Sequence, residues 1–91
     1  MALFAVVITF GDRAKRDETR PAHRKYLSGL LEAGKLHASG PFTDDGGALL
    51  IYDVADEAEA RALLAADPYT AAGTVIADAQ LRGWNRVLPP P

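Results

Sequence analysis

Residues 3–10 read Leu-Phe-Ala-Val-Val-Ile-Thr-Phe, and both alternating sets of this run are apolar. β-Branched and aromatic side chains favour extended backbone, where successive residues point to opposite faces. Phe4, Val6, Ile8 and Phe10 would line one face, and Leu3, Ala5 and Val7 the other. A strand apolar on both sides has to be covered on both sides. Helices of the same chain can cover one. The other asks for a further layer, and 91 residues leave room for one domain only.

The rest of the chain supplies the first cover. Residues 11–20 mix Arg13, Lys15, Arg16 and Arg20 with Asp12, Asp17 and Glu18, which reads as a solvated connection. Pro21 suits the first position of a helix, and the spacing of Leu27, Leu30 and Leu31 predicts one over 21–33, stopped by Gly34. His23 lies four residues before Leu27, on the same face and in the first turn of that helix. Residues 36–42 and 48–54 read as strands joined by the turn-forming stretch 43–47. Asp56, with Glu59 three residues on, predicts a helix over 57–66 that packs through Ala60, Leu63 and Leu64. Asp67-Pro68 restarts a short helical turn ending near Gly73. A last strand follows over 75–87, with an irregularity expected at Gly83, and residues 89–91 form a proline tail behind a domain of residues 1–88.

The order β-α-β-β-α-β, with right-handed crossovers, makes an α+β sandwich: a four-stranded antiparallel sheet with helices on one face, the ferredoxin-like arrangement. Its bare face is the one that the first strand requires to be covered. Since 48% of the residues are hydrophobic, a large share for so small a core, a homodimer is expected.

Composition removes several classes of function. With a net charge of −2 and basic residues interleaved with acidic ones, the chain has no phosphate track, so nucleic acid is not an expected partner. There is no cysteine, hence no disulfide, thiol nucleophile or thiolate metal site. No apolar run approaches the roughly 20 residues that span a bilayer, and the first residues lack the basic start of a signal peptide. A soluble cytoplasmic protein, with no membrane partner, is expected.

Two distant segments carry the candidate chemistry, Arg20-Pro21-Ala22-His23 and Asp67-Pro68-Tyr69. If the fold joins His23 to Asp67, the carboxylate can orient the imidazole and strengthen it as a general base. If not, Asp67 is an ordinary helix cap. Arg20 and Arg24 could draw in an anionic or electron-rich ligand, and Ser39, Gly40 and Pro41 at a strand end could present a hydroxyl and backbone groups to it. Tyr69 and Trp84 could line a pocket for a flat molecule, although aromatic residues in a small domain are usually core or interface. Ser39 lacks the strained turn that a nucleophilic serine needs. His37 with His23 and one carboxylate could form a three-ligand metal site, but their spacing is not that of a metal motif, so no metal is expected. No glycine pattern suits a nucleotide, and no cofactor is expected.

Taken in order, Arg20-Pro21-Ala22-His23, Tyr26-Leu27, Leu31, Gly34-Lys35-Leu36, Ser39-Gly40-Pro41-Phe42, Gly46-Gly47, Asp67-Pro68-Tyr69 and Ala72-Gly73 make the chain resemble the YCII-related domain family along nearly its whole length. The resemblance implies a ferredoxin-like subunit of a dimeric α/β barrel. It also implies that His23 and Asp67 form an active-site pair in a cleft beside Ser39-Gly40-Pro41. At least one branch of that family is associated with dehydrochlorination of a chlorinated hydroxyquinol. Two places depart from the family's pattern: the turn 43–47 is shorter than in many relatives, and Ser39 stands where alanine is more usual.

The reading that follows is a small enzyme using His23 as general base and acid on a small oxygenated or aromatic metabolite, by elimination or isomerisation. The alternative is a non-catalytic module of the same fold that binds a small molecule or dimerises.

Overall fold

The computed structural model covers residues 1–91, and its elements run β1 (Ala2–Phe10), α1 (Arg13–Glu32), β2 (Leu36–Pro41), β3 (Gly47–Val54), α2 (Glu57–Ala66), α3 (Pro68–Ala71) and β4 (Ile76–Trp84). The strands form one sheet in the order β2-β3-β1-β4, with every neighbouring pair antiparallel. This is the ferredoxin-like topology, with α3 as a short addition to its second helix. No helix is long and apolar enough to cross a membrane.

The two-sided character of β1 divides as its alternation requires. Val6 and Ile8 are buried with Ala48, Leu50, Tyr52 and Val54 of β3, Leu36 of β2, Leu27 and Leu30 of α1, and Ala60 of α2. Each large aliphatic side chain in this set contributes roughly 1.5–3 kcal/mol by leaving water. On the opposite face Val7 remains 39% exposed, between Leu49 and Gln80. Gly47 permits the close approach of β3 to its neighbour β1, because a Cβ there would stand 2.0 Å from the Ile8 carbonyl oxygen.

Helix α1 departs from the expectation that it begins at Pro21. It begins two turns earlier, at Arg13, capped by Asp12, whose Oδ1 accepts the Lys15 N–H at 3.1 Å. Pro21 therefore lies inside the helix. An interior proline removes one backbone hydrogen bond and commonly costs about 3 kcal/mol, so tertiary contacts have to hold the first half. They do so through a charged residue: Arg16, expected to be solvated, is 3% exposed. The buried face of α1 is Arg16, His23, Leu27 and Leu30, while Leu31 is 59% exposed and lies outside it. The far end is as expected. Gly34 takes φ +77°, and the N–H groups of Gly34 and Lys35 return to the carbonyls of Leu31 and Leu30.

Helix α2 keeps its predicted bounds. Asp56 Oδ1 accepts the Glu59 N–H, and Glu59 in turn accepts the Ala55 N–H and the Lys35 ammonium. In β4 the expected irregularity at Gly83 is absent, since Gly83 pairs with Phe4 in continuous register. The β1–β4 register instead shifts between Thr9 and Phe10, and a second shift, between Leu36 and Ala38, lies in β2.

Candidate functional site

His23 projects from the buried face of α1, one turn before Leu27, and Asp67 occupies the junction between α2 and α3. Although 44 residues apart, they meet: His23 Nδ1 lies 2.8 Å from Asp67 Oδ1. Asp67 is wholly buried and His23 is 8% exposed. The same Oδ1 accepts the Tyr69 N–H at 2.9 Å. Asp67 therefore caps α3 and holds the imidazole at once, so the two readings of this residue coexist. A carboxylate oxygen only accepts, which assigns the proton of the neutral ring to Nδ1 and leaves a lone pair on Nε2.

Aromatic rings fix the plane of the imidazole. The Tyr69 ring stacks on it at 3.8 Å between centroids and 6° between planes, and Phe10 meets Tyr69 edge-on at 5.9 Å. The Arg16 guanidinium caps the pile 4.4 Å above the Phe10 ring. Arg16 also donates to the Asp45 carbonyl at 3.1 Å and to its carboxylate at 2.8 Å. Asp45 sits in the β2–β3 turn with φ +62°, a conformation that a side chain other than glycine's adopts at a cost. Arg16 thus ties that turn to α1.

His23, Tyr69, Phe10 and Leu27 line one wall of a cleft of about 300 Å³, and Ser39, Gly40 and Pro41 line another. Arg20, Arg24 and Asp45 also reach it. The Arg20 guanidinium, charged at any accessible pH, is raised above its ordinary value, first by hydrogen bonding with the Tyr69 side chain. The shift in β2 matters here. With two residues of β2 spanning one step of β3, Ser39 falls opposite buried Leu50, on the side of the sheet that carries the cleft.

All seven residues expected at the site, His23, Asp67, Arg20, Ser39, Gly40, Pro41 and Tyr69, therefore lie at this cleft or directly behind it. Trp84 and His37 do not. Both line a groove at the other end of the sheet, with Met1 and Phe4, so the grouping of His23, His37 and a carboxylate is not assembled. Sequence reasoning missed Arg16, Phe10 and Asp45. The signal for Arg16 was its place seven residues, two helical turns, before His23, legible once Asp12 is taken as the cap.

A family model described as the YCII-related domain matches residues 2–85. No curated protein sequence matches the chain. Among solved structures, the chain is similar to 5-chloro-2-hydroxyhydroquinone dehydrochlorinase from Burkholderia phenoliruptrix AC1100, in complex with 2,5-dihydroxybenzoquinone. The identity is 25%, the match covers 98% of this chain and 99% of that one, and the TM-score is 0.80. It is also similar to an antibiotic biosynthesis monooxygenase at 17% identity, covering 93% of this chain and 98% of that one, with a TM-score of 0.60. That second likeness is one of fold alone.

Proposed function

This chain belongs to the YCII-related domain family, and from that premise we propose that it is a small-molecule enzyme in which His23 transfers a proton. Nε2 of His23 takes a proton from a carbon or hydroxyl of a small oxygenated, ring-sized substrate. Asp67 keeps the ring in the required tautomer through Nδ1–H and balances the imidazolium that forms. The electron pair released from the C–H or O–H bond expels a leaving group in an elimination, or moves to an adjacent carbonyl in an isomerisation. His23 then returns its proton to the leaving group or to the new carbon centre. Arg20 and Arg24 attract the anionic or phenolic oxygen, Tyr69 steadies the imidazole, and Ser39, Gly40 and Pro41 form the facing wall.

The observation that carries this reading is the 2.8 Å contact between His23 and a fully buried carboxylate at the wall of a cleft flanked by two arginines. Buried carboxylate–imidazole pairs at a cleft are what proton-transfer sites need. The solved relative names the first probe, a chlorinated hydroxyhydroquinone, with chloride release as the readout. His23→Ala is expected to lower kcat/KM by roughly 10²–10⁴-fold and, because it leaves buried Asp67 without its partner, to lower the thermal melt as well, whereas Asp67→Asn lowers kcat/KM while keeping the α3 cap. Ligand binding without turnover by the native protein, across chlorinated and unchlorinated hydroxyquinols, would favour a binding module instead.

The subunit is further proposed to work as a homodimer. Leu3, Ala5, Leu49 and Ile51 are only half-buried and Val7 is exposed on the sheet face that carries no helix, an apolar surface that a second copy of the same face would cover.

A further inference from the structure

Two polar atoms behind the cleft have no role in the scheme above. Both hydrogen bonds to Asp67 fall on Oδ1, and Oδ2, fully buried, has no protein partner. The hydroxyl of Tyr52, toward the C-terminal end of β3 and wholly buried, also has none. One is an acceptor and the other a donor, so their needs are complementary. Tyr52 packs in the same core cluster as Leu27 of α1, the helix of His23, and Ala60 of α2, the helix that leads into Asp67. Burial first, and then the charge of Asp67, push the Tyr52 hydroxyl far above the ordinary tyrosine value. The same two causes act in the same direction on Tyr26. The donor of Tyr26, however, is already committed to the Leu63 carbonyl at 2.7 Å.

Resting on the His23–Asp67 reading, we propose that Tyr52 is the positioning residue for Asp67, its hydroxyl donating toward Oδ2 through one bridging water. With the second oxygen so held, Oδ1 stays turned toward both His23 and the Tyr69 N–H. The donor also disperses part of the carboxylate's charge, which moderates the pull of Asp67 on the imidazole proton. Losing it concentrates that charge on Oδ1 and favours the protonated ring.

The test is an NMR titration of the His23 ring in the native protein, Tyr52→Phe, Asp67→Asn and the double variant. Tyr52→Phe keeps the buried ring and removes one oxygen, and Asp67→Asn keeps the cap. The other groups around the imidazole (Arg20 and Arg24 of α1, Asp45 of the turn, Tyr69 of α3, and Tyr26) are common to all four proteins. Tyr52→Phe is expected to move the His23 midpoint to higher pH by roughly half a unit, and to have no such effect in the Asp67→Asn background. The acidic limb of the rate profile should move with it. A midpoint that Tyr52→Phe leaves unchanged or lowers, while Asp67→Asn lowers it, overturns the role of Tyr52 and leaves the pair standing. If Asp67→Asn itself changes nothing, the pair reading fails and the Tyr52 proposal with it.

Discussion

Asp67 receives the Tyr69 N–H and the His23 ring on one oxygen, so the geometry of α3 and the orientation of the imidazole are set by the same atom. Any shift of the short helix is felt at the ring, and Tyr69, which follows the cap, also stacks on that ring. Arg16 works by a similar economy from the other side, holding Phe10 by its face and Asp45 by its backbone and carboxylate. Replacing Arg16 by Ala removes two charge-assisted hydrogen bonds, and because Asp45 is half exposed the loss is expected to be about 2 kcal/mol, read by denaturant unfolding. Arg16→Lys should recover only part of it, since a single ammonium cannot reproduce the fork that meets both Asp45 oxygens. If Arg16→Ala unfolds at the native midpoint, the arginine does not hold the turn.

At the scale of elements, the start of α2 shows how a few local bonds fix a helix. Glu59 accepts the N–H of Ala55, the residue before the Asp56 cap, and that bond, followed by the Lys35 ammonium, holds its carboxyl below the usual range. A carboxyl depressed in the folded state stabilises the fold above its unfolded value, near 4.5, and loses that contribution as pH falls through the folded value. Glu59→Gln is therefore expected to be less stable than the native protein at pH 7, with the difference shrinking toward pH 3. Thermal melts at both pH values check this, and a gap that stays constant would mean the charge of Glu59 adds nothing. Helix α1 makes the opposite point. Its first half has no apolar stripe, only Arg16, and it persists across an interior proline because the arginine is anchored in the structure around it.

At the scale of the molecule, the sheet has one face under helices and one without, and the bare face is apolar at its centre. Its expected consequence is self-association, measurable by sedimentation equilibrium. Val7→Asp places a charge at the centre of that face, between Leu49 and Gln80, and should shift a dimer to a monomer without disturbing the buried side of β1. A native protein that sediments as a monomer at working concentrations would remove the dimer from the account.

What the sequence determined by itself was the order and type of every element, the α2 and α3 caps, the Gly34 stop and the choice of His23 and Asp67 as the residues to watch. These depend on side-chain alternation, helical spacing and backbone preference, which act over a few neighbouring residues and so are written locally. The tertiary structure decided the rest. The start of α1 was not legible, because the residue that buries its first half is a charged arginine that only the Asp45 turn and the Phe10 ring make tolerable. The placing of Ser39 on the cleft side depends on a register shift against β3, and the sequence of β2 does not mark where that shift falls. The contact of His23 with Asp67 joins positions 44 residues apart, and such a contact exists only once the sheet and helices have fixed both ends of the intervening chain.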